Sequence, residues 1–257
     1  YPLHPSLSNL SWQDCMNPSI DARTADEVRD MFTRIATRYN LLNSLMTLGQ
    51  DRSWRRETIR QLNLRPGDRL LDLGTGTGDL AFEALHQTNE LRVVASDFTP
   101  RMINIGKVRP EGHRLMWVIA DAHHLPFTDD AFNAIVSGFL LRNVTNLNAA
   151  LREQVRILRY AGRIASLDTT PLSSGILRPL LEFFLQRVIP HLGSVFAGDP
   201  AAYRYLPETT ERFLPAETLA ERLKAAGFDG IQFIRLMFGT IAIHSAKKPY
   251  RGQHESN

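Results

Sequence analysis

One stretch of the sequence, Arg69 to Asp79, restricts the possible folds more than any other. Its first part, Leu70 to Leu73, is a short apolar run after the turn residues Pro66-Gly67-Asp68. Such a run is typical of a strand buried on both faces of a parallel sheet. A sharp turn with exposed N–H groups should follow it, because glycines stand at Gly74, Gly76 and Gly78. A helix is predicted from Leu80, so the stretch indicates a nucleotide-binding strand, loop and helix.

The spacing of the glycines distinguishes between kinds of nucleotide site. A dinucleotide fingerprint, G-x-G-x-x-G, would place its third glycine at Asp79 or Ala81. An acid at the start of a helix also repels a pyrophosphate, whereas it favours a cationic or hydroxyl-bearing ligand. The pattern present, D-x-G-x-G-x-G-D, resembles motif I of class I S-adenosylmethionine (SAM) methyltransferases. A glycine turn with a purely structural role is the alternative.

Length and composition limit the class of protein. The 257 residues suffice for one α/β domain with insertions. The hydrophobic content of 43% and the charged content of 22% are ordinary for a soluble globular protein. The net charge of +3 comes from scattered Lys and Arg residues, which is too weak a signal for nucleic-acid binding. We therefore expect no nucleic-acid partner.

Cysteine use and hydropathy bear on the compartment. Cys15 is the only cysteine, which excludes an internal disulfide and a cysteine-based metal cluster. We expect no metal and a cytoplasmic protein. No apolar run has the length of a transmembrane helix, and no signal-peptide pattern is present. Any membrane association is therefore expected to be peripheral, on the inner face.

Carboxylates end two further predicted strands. Asp97 closes the strand that starts at Leu91, about twenty residues after the glycines, where such folds place an acid on the ribose. Its alternative role is an N-cap for the following helix. Asp121 closes the third strand and can accept from an adenine amino group, while Ala122 leaves room for the ring. Ligands of open α/β sheets bind at the carboxyl ends of the strands, so these acids and Asp72 are predicted to share one rim.

The rest of the chain alternates between strands and helices and then departs from that pattern. Strands at 134–139 and 162–168 continue a doubly wound sheet. Residues 171–213 then form an apolar insertion of helical period, which predicts a cover over the active site or an interfacial helix. An ordinary buried helix is the alternative. Strands at 230–238 and 240–245 predict an antiparallel hairpin.

Residues before the glycine loop carry few signals of chemistry. Residues 1–23 lack periodicity and are predicted to be an N-terminal tail or arm. An amphipathic helix follows from Thr24, and Trp54 opens a second helix. Taken alone, Tyr39 and Trp54 are more typical of core aromatics than of substrate contacts.

Together these residues resemble the UbiE/MenG/Coq5 family of SAM-dependent C-methyltransferases of ubiquinone and menaquinone biosynthesis. The more specific motifs are residues 35–43, Leu-Arg-Asn-Val-Thr at 141–145 and Tyr-Arg-Tyr-Leu at 203–206. The resemblance implies a Rossmann-like class I methyltransferase fold, with a mostly parallel seven-stranded sheet, an antiparallel C-terminal hairpin and a helical cover insertion. It implies a methyltransferase domain at 24–248, followed by a C-terminal tail at 249–257.

The resemblance also implies SAM as the cofactor and S-adenosylhomocysteine (SAH) as the product. The family's cofactor contacts fall on Thr77, Asp97, Asp121 and Ala122. A serine that the family uses before its Phe-Gly-Leu-Arg-Asn run is replaced here by Gly138. Strand five, which usually ends Leu-Glu-Phe-Ser, ends here at Leu167-Asp168-Thr169-Thr170. These differences bear on the acceptor more than on the cofactor.

The chemistry of the family predicts the acceptor site. A quinol ring carbon becomes nucleophilic when a neighbouring hydroxyl loses its proton, so a base or a base-activated water is needed. Arg142 and Asn143 are predicted to hold the phenolate and a water, with Asp168, Tyr39 and Tyr205 as the next candidates. The predicted substrate contacts are Tyr39, Arg142, Tyr203 and Tyr205. The histidines at 123 and 124 are expected to be exposed, and we do not assign them a role.

Three functions remain compatible with the sequence. The first is ring C-methylation of a prenylated quinol precursor. The second is SAM-dependent methylation of another lipophilic phenol or small metabolite, and the third is a non-catalytic SAM-fold scaffold in quinone biosynthesis. For the first we expect a lipophilic quinol as partner, transient contact with a membrane surface, and a homodimer.

Overall fold

The computed structural model describes residues 25–36, 47, 49–171 and 213–250. The predictions for the N-terminal arm at 1–23, the C-terminal tail beyond 250 and nearly all of the insertion at 171–213 lie outside these residues. So do the predicted site residues Tyr39, Tyr203 and Tyr205.

Within this part of the chain, helices and strands follow one another in the order that the sequence predicts. The helices are α1 (Ala25–Ile35), α2 (Asp51–Gln61), α3 (Asp79–Gln87), α4 (Pro100–Lys107), α5 (Leu147–Ile157) and α6 (Ala216–Ala225). The strands are β1 (Arg69–Leu73), β2 (Arg92–Asp97), β3 (Met116–Ile119), β4 (Phe132–Gly138), β5 (Leu158–Thr169), β6 (Asp229–Leu236) and β7 (Ile241–Lys247). None of these helices is both long enough and apolar enough to cross a membrane.

The seven strands form one sheet in the order β3-β2-β1-β4-β5-β7-β6. The first five strands run parallel, and β7 runs antiparallel to both β5 and β6. The predicted doubly wound sheet with an antiparallel C-terminal hairpin is therefore confirmed. Because β2 and β4 lie on opposite sides of β1, the strand order reverses there, and such sheets bind ligands beyond that point.

Apolar layers cover β1 on both faces. Leu71 and Leu73 pack into a cluster with Ile135 of β4, whereas Leu70 packs on the opposite face with Leu80 of α3. The alternation follows from the period of two along a strand. Full burial of each leucine contributes roughly 1.5–3 kcal/mol, so the strand is firmly held and the loop after it starts from a fixed position.

Two elements begin three or more residues earlier than the sequence predicts. Helix α2 begins at Asp51 rather than at Trp54, and the Thr47 hydroxyl donates to the Asp51 carboxylate over 3.2 Å. Trp54 is buried against β5 and β7, which confirms its prediction as a core aromatic. Strand β5 begins at Leu158 rather than at Gly162, because an irregular pairing places Leu158 opposite Phe132 of β4.

Candidate functional site

A cleft with about 800 Å³ of empty space opens beyond the carboxyl ends of β1, β2 and β4. Its polar groups include the carboxylates of Asp97 and Asp121. The other lining residues that matter here are Val28 and Phe32 of α1, Gly74, Gly76, Met102, Ala122, Gly138, Phe139, Leu140 and Asn143. A concave, mostly apolar surface with a few polar groups is typical of a small-molecule site. The cleft lies at the reversal of strand order, as the fold predicts.

Helix α1 forms one wall of this cleft, through Val28 and Phe32. Between those two residues, the guanidinium of Arg29 lies 5.7 Å from the ring centroid of Phe98, which follows β2. The contact is a cation–π interaction between a helix that precedes the sheet and the rim of the sheet. The cleft therefore has walls from two separate parts of the chain.

The loop after β1 adopts the left-handed turn that its glycines predict. Gly74 has a φ of 70°, which favours a residue without a side chain. A Cβ atom there would also lie 2.8 Å from Cδ1 of Leu140. The backbone at this position is therefore bare, and it forms part of the cleft surface.

The carboxylate of Asp72 holds this loop from below. Its Oδ2 accepts the Thr75 hydroxyl over 2.6 Å and the N–H of Ala81 over 3.0 Å. Complete burial raises the pKa of Asp72 to about 7, although the hydrogen bond from Thr75 opposes the rise. Asp72 thus connects the loop to the start of α3 from a position beneath the cleft.

Asp97 stands at the end of β2 and faces the cleft. Its Oδ2 accepts the N–H of Gly76 and its Oδ1 accepts the N–H of Thr99, both over 2.7 Å. The Thr99 hydroxyl and the backbone N–H of Phe98 also bond to this carboxylate. Burial raises the pKa of Asp97 above its ordinary value. The N-cap of α4 is Thr99 rather than Asp97. The backbone N–H of Thr99 donates to the Asp97 carboxylate.

Asp121 and His123 form a second polar group on the cleft. Oδ1 of Asp121 accepts the backbone N–H of His123 over 2.9 Å and lies 2.6 Å from its Nδ1. The expectation that both histidines are exposed is wrong for His123, whose side chain is only 14% exposed, and holds for His124. The reason is that Asp121 and the backbone of Asn146 bind the two ring nitrogens of His123.

Two arginines that the sequence analysis missed neutralise Asp79, at the start of α3. Arg109 lies 2.6 Å and Arg55 lies 3.2 Å from its carboxylate oxygens. Arg109 also donates to the carbonyl of Thr77 over 2.9 Å, and its guanidinium lies 4.4 Å from the ring centroid of Phe82. Because the protein supplies these cations itself, the charge of Asp79 does not favour a cationic ligand, and the alternative of a hydroxyl-bearing ligand stays a prediction. No local pattern marks these arginines.

A buried ion pair lies next to the cleft, at the ends of β4 and β5. Nε of Arg142 is 3.6 Å from Oδ1 of Asp168, and the Arg142 backbone N–H donates to Oδ2 over 3.2 Å. Nη1 of Arg142 also donates to the Thr169 hydroxyl over 3.2 Å. Burial raises the pKa of Asp168 to about 6, and the charge of Arg142 limits the rise. The Asp168 carboxylate of this pair can accept a proton, and the Arg142 guanidinium can stabilise a nearby anion.

Phe139 lies between this ion pair and the cleft. Its backbone is left-handed, with a φ of 55°, an uncommon conformation that costs of order 1–3 kcal/mol for a bulky residue. The N–H of Phe139 donates to the Leu167 carbonyl over 2.7 Å, and the Asn143 amide donates to the Phe139 carbonyl over 2.6 Å. The Arg142 guanidinium lies 5.0 Å from the ring centroid. The contacts hold the ring at the cleft surface.

The position that carries a serine in the family is Gly138, and the structure shows what fills its space. A Cβ atom at Gly138 would lie 2.8 Å from Cδ1 of Leu80. The side chain of Leu80 therefore occupies the room that a serine would need.

The predicted site residues that the structure describes lie at the cleft surface, in or beneath the glycine loop, or buried beside the cleft. Those at the cleft surface are Gly74, Gly76, Asp97, Asp121, Ala122, Gly138 and Asn143. Buried groups in or beneath the loop include Asp72 and Thr77, and Gly78 is the N-terminal cap of α3. Arg142 and Asp168 are buried beside the cleft. Asp97 and Asp121 line the same cleft, as predicted, whereas Asp72, predicted on the same rim, is fully buried beneath it.

Comparison with known proteins shows relatives that match most of the chain. The model of the ubiE/COQ5 methyltransferase family matches residues 20–248. The ubiquinone/menaquinone biosynthesis C-methyltransferase UbiE of Desulfotalea psychrophila is 41% identical, over 84% of this chain and 88% of that protein. A demethylmenaquinone methyltransferase of Roseiflexus sp. is 38% identical, over 88% of this chain and 95% of that protein.

Solved structures share the fold. A SAM-dependent methyltransferase of Thermotoga maritima, described as a possible histamine N-methyltransferase, superposes with a TM-score of 0.61. The match covers 86% of this chain and 99% of the other, at 18% identity. At that identity the likeness establishes the class I methyltransferase fold alone.

Proposed function

Since this chain belongs to the ubiE/COQ5 methyltransferase family, we propose that it methylates a ring carbon of a prenylated quinol precursor with SAM as donor. Its relatives include enzymes named for ubiquinone and menaquinone biosynthesis. The observation that carries the proposal is the position of the buried Arg142–Asp168 pair, next to a cleft lined by two carboxylates. A nucleoside site and a proton-accepting site are thus adjacent.

The residues of the cleft fit SAM. Asp97 lines the cleft with a carboxylate, which can only accept and so suits the hydroxyls of a ribose. Asp121 would accept from the adenine amino group, and Ala122 and Met102 provide apolar surface for the base. The bare backbone at Gly74 and Gly76 allows close approach of the rest of the cofactor. When bound, SAM supplies an electrophilic methyl group.

The acceptor side of the proposal depends on Asp168 and Arg142. A phenolic hydroxyl has a pKa near ~10, so it needs help to ionise at neutral pH. Above its pKa of about 6, the Asp168 carboxylate is ionised and can take the hydroxyl proton through a water, because Phe139 lies between the pair and the cleft. Arg142 then stabilises the phenolate, whose negative charge makes the adjacent ring carbon nucleophilic. The ring carbon would bond to the methyl group while the methyl–sulfur bond breaks, with SAH as the leaving group, and the ring proton would then pass to a water.

Asn143 is proposed to bind the quinol from the cleft side of Phe139. It is the one member of the Arg142-Asn143 pair that lines the cleft. Its amide N–H already donates to the Phe139 carbonyl, which fixes the side-chain rotamer. The amide oxygen can accept from a hydroxyl or a water.

The test is methyl transfer from labelled SAM to demethylmenaquinol. Ring-methylated quinol is the expected product. Turnover confined to other phenols would refute the proposed acceptor, and SAM binding without turnover on any phenol would refute catalysis. The Asp168→Asn variant serves as the matched control, because it keeps the shape of the side chain and removes the base.

The prenyl tail of such an acceptor resides in lipid. We therefore propose that the protein is cytoplasmic and contacts the membrane surface transiently, and that it functions as a homodimer. Flotation with anionic vesicles, with and without quinol, tests the first part. Sedimentation of the purified protein tests the second.

A further inference from the structure

We infer that His123 positions the Asp121 carboxylate for an adenine amino group, and so contributes to the selectivity of the cleft for an adenine nucleoside. The inference rests on the proposed function, in which the cleft binds SAM. It concerns a residue that the sequence analysis did not assign to the site.

The hydrogen bonds of His123 fix the position of its ring proton. Nε2 lies 3.2 Å from the backbone N of Asn146, whose N–H can only donate. A ring nitrogen that accepts carries no proton, so the proton of the imidazole is on Nδ1. Nδ1 lies 2.6 Å from Oδ1 of Asp121 and therefore donates to it.

Asn146 gives this arrangement a rigid anchor. It is the N-cap of α5, and its side-chain oxygen accepts the N–H of Ala149 over 3.0 Å. Leu147 and Leu151 bury α5 in the core on one face of the sheet. The imidazole is thus held between a packed helix and the end of β3, with only 14% of its side chain exposed.

The consequence for Asp121 is that its two oxygens differ. Oδ1 accepts from both the ring and the backbone N–H of His123. Oδ2 has no donor in the part of the chain that the structure describes, although 44% of the side chain is exposed on the cleft. The cleft therefore presents an oriented acceptor. An exocyclic amino group can donate to it, whereas the carbonyl of a hypoxanthine would place two acceptors against each other.

The experiment is calorimetric binding of two ligands, SAH and its deaminated analogue S-inosyl-L-homocysteine, to four proteins. Wild type is expected to bind SAH about 10- to 100-fold more tightly than the inosyl compound, which is the worth of one hydrogen bond to a charged group. His123→Ala frees the carboxylate to rotate, so this ratio should fall by about 10-fold or approach unity.

Two further variants separate positioning from a general structural effect. His123→Asn places an amide N–H near the position of Nδ1 and should keep most of the wild-type ratio. His124→Ala changes the exposed neighbour and should leave the ratio unchanged. If His123→Ala lowers both affinities equally, or neither, His123 has no role in selectivity and the inference is wrong. A wild-type protein that does not bind SAH at all would instead overturn the proposed function.

Discussion

Asp97 accepts the N–H of Gly76 over 2.7 Å, so the end of β2 is bonded directly to the glycine loop after β1. The same carboxylate binds the N–H of Thr99 at the start of α4. One side chain therefore sets the relative positions of three elements around the cleft. Replacing Asp97 is therefore expected to affect both the shape of the cleft and ligand binding.

Asp97→Ala should weaken SAH binding by about 10- to 1000-fold, because one or two hydrogen bonds to a charged acceptor are lost. Calorimetry measures the change. Asp129→Ala is the matched control, since its exposed carboxylate pairs with Arg156 and neither residue lines the cleft. Unchanged SAH affinity in a folded Asp97→Ala protein would remove Asp97 from the binding site.

Asp168→Asn should lower kcat by about 100-fold or more while SAH affinity stays near the wild-type value. The pKa of Asp168 is raised to about 6, so the group is protonated below that pH and ionised above it. If the ionised form is the base, kcat of the wild type rises with pH up to about 6 and then levels off. Steady-state rates between pH 5 and 8 test this.

Asp168→Glu supplies the complementary control, because it keeps the acid and lengthens it by one methylene. It should retain the rise of kcat with pH that Asp168→Asn loses. A rate profile shared by all three proteins would exclude Asp168 as the base.

Asp72 predicts a pH dependence of stability. Its pKa is about 7 in the folded protein and 3.8 is the ordinary value, so folding favours the protonated form. Stability from this group is therefore greatest at low pH and decreases as the pH rises from about 4 to about 7. Asp72→Asn cannot ionise and should show a smaller decrease in unfolding free energy between pH 5 and 8. Urea denaturation of both proteins across that range is the measurement, and parallel curves would contradict the assignment.

Gly106→Ala in α4 should destabilise the protein by about 1–3 kcal/mol, the usual cost of overpacking. Intrinsic helix propensity predicts the opposite, a gain of about 1 kcal/mol. The reason is that a Cβ atom there would lie 2.2 Å from Cη2 of Trp117, whose indole N–H is bonded to the carbonyl of Gly112. Chemical denaturation decides between the two signs.

Two comparisons make this test specific. Asn104→Ala, at an exposed position of the same helix, should be neutral or slightly stabilising. Adding Trp117→Phe to Gly106→Ala removes the ring atoms that clash and should recover part of the loss. A Gly106→Ala protein more stable than wild type would show that the packing argument is wrong.

The features that the sequence predicted well are those with local signals. The run from Leu70 to Leu73 is apolar throughout and is followed at once by glycines, so strand, turn and helix follow from neighbouring residues. Asp97 and Asp121 were placed on one rim because parallel strands bring their carboxyl ends together. That inference requires only that the strands run parallel. The helices predicted between successive strands indicate that they do.

The features that the sequence missed depend on residues far apart in the chain. Arg109 is 30 positions away from Asp79 in the sequence, and no local pattern at either residue indicates that the two form an ion pair. The side chain of His123 is largely buried because α5 brings Asn146 to its ring, a contact that no spacing predicts. The early start of β5 depends likewise on pairing of Leu158 with Phe132, which overrides the local helical pattern.

Helix α1 gives the cleft a wall that does not belong to the sheet. Val28 and Phe32 reach the cleft from a segment that precedes β1, and Arg29 joins that segment to Phe98. A nucleoside bound there would be enclosed between the rim of the sheet and this helix. Its dissociation rate would then report how firmly α1 is seated, separately from how strongly the two carboxylates hold the sugar and the base.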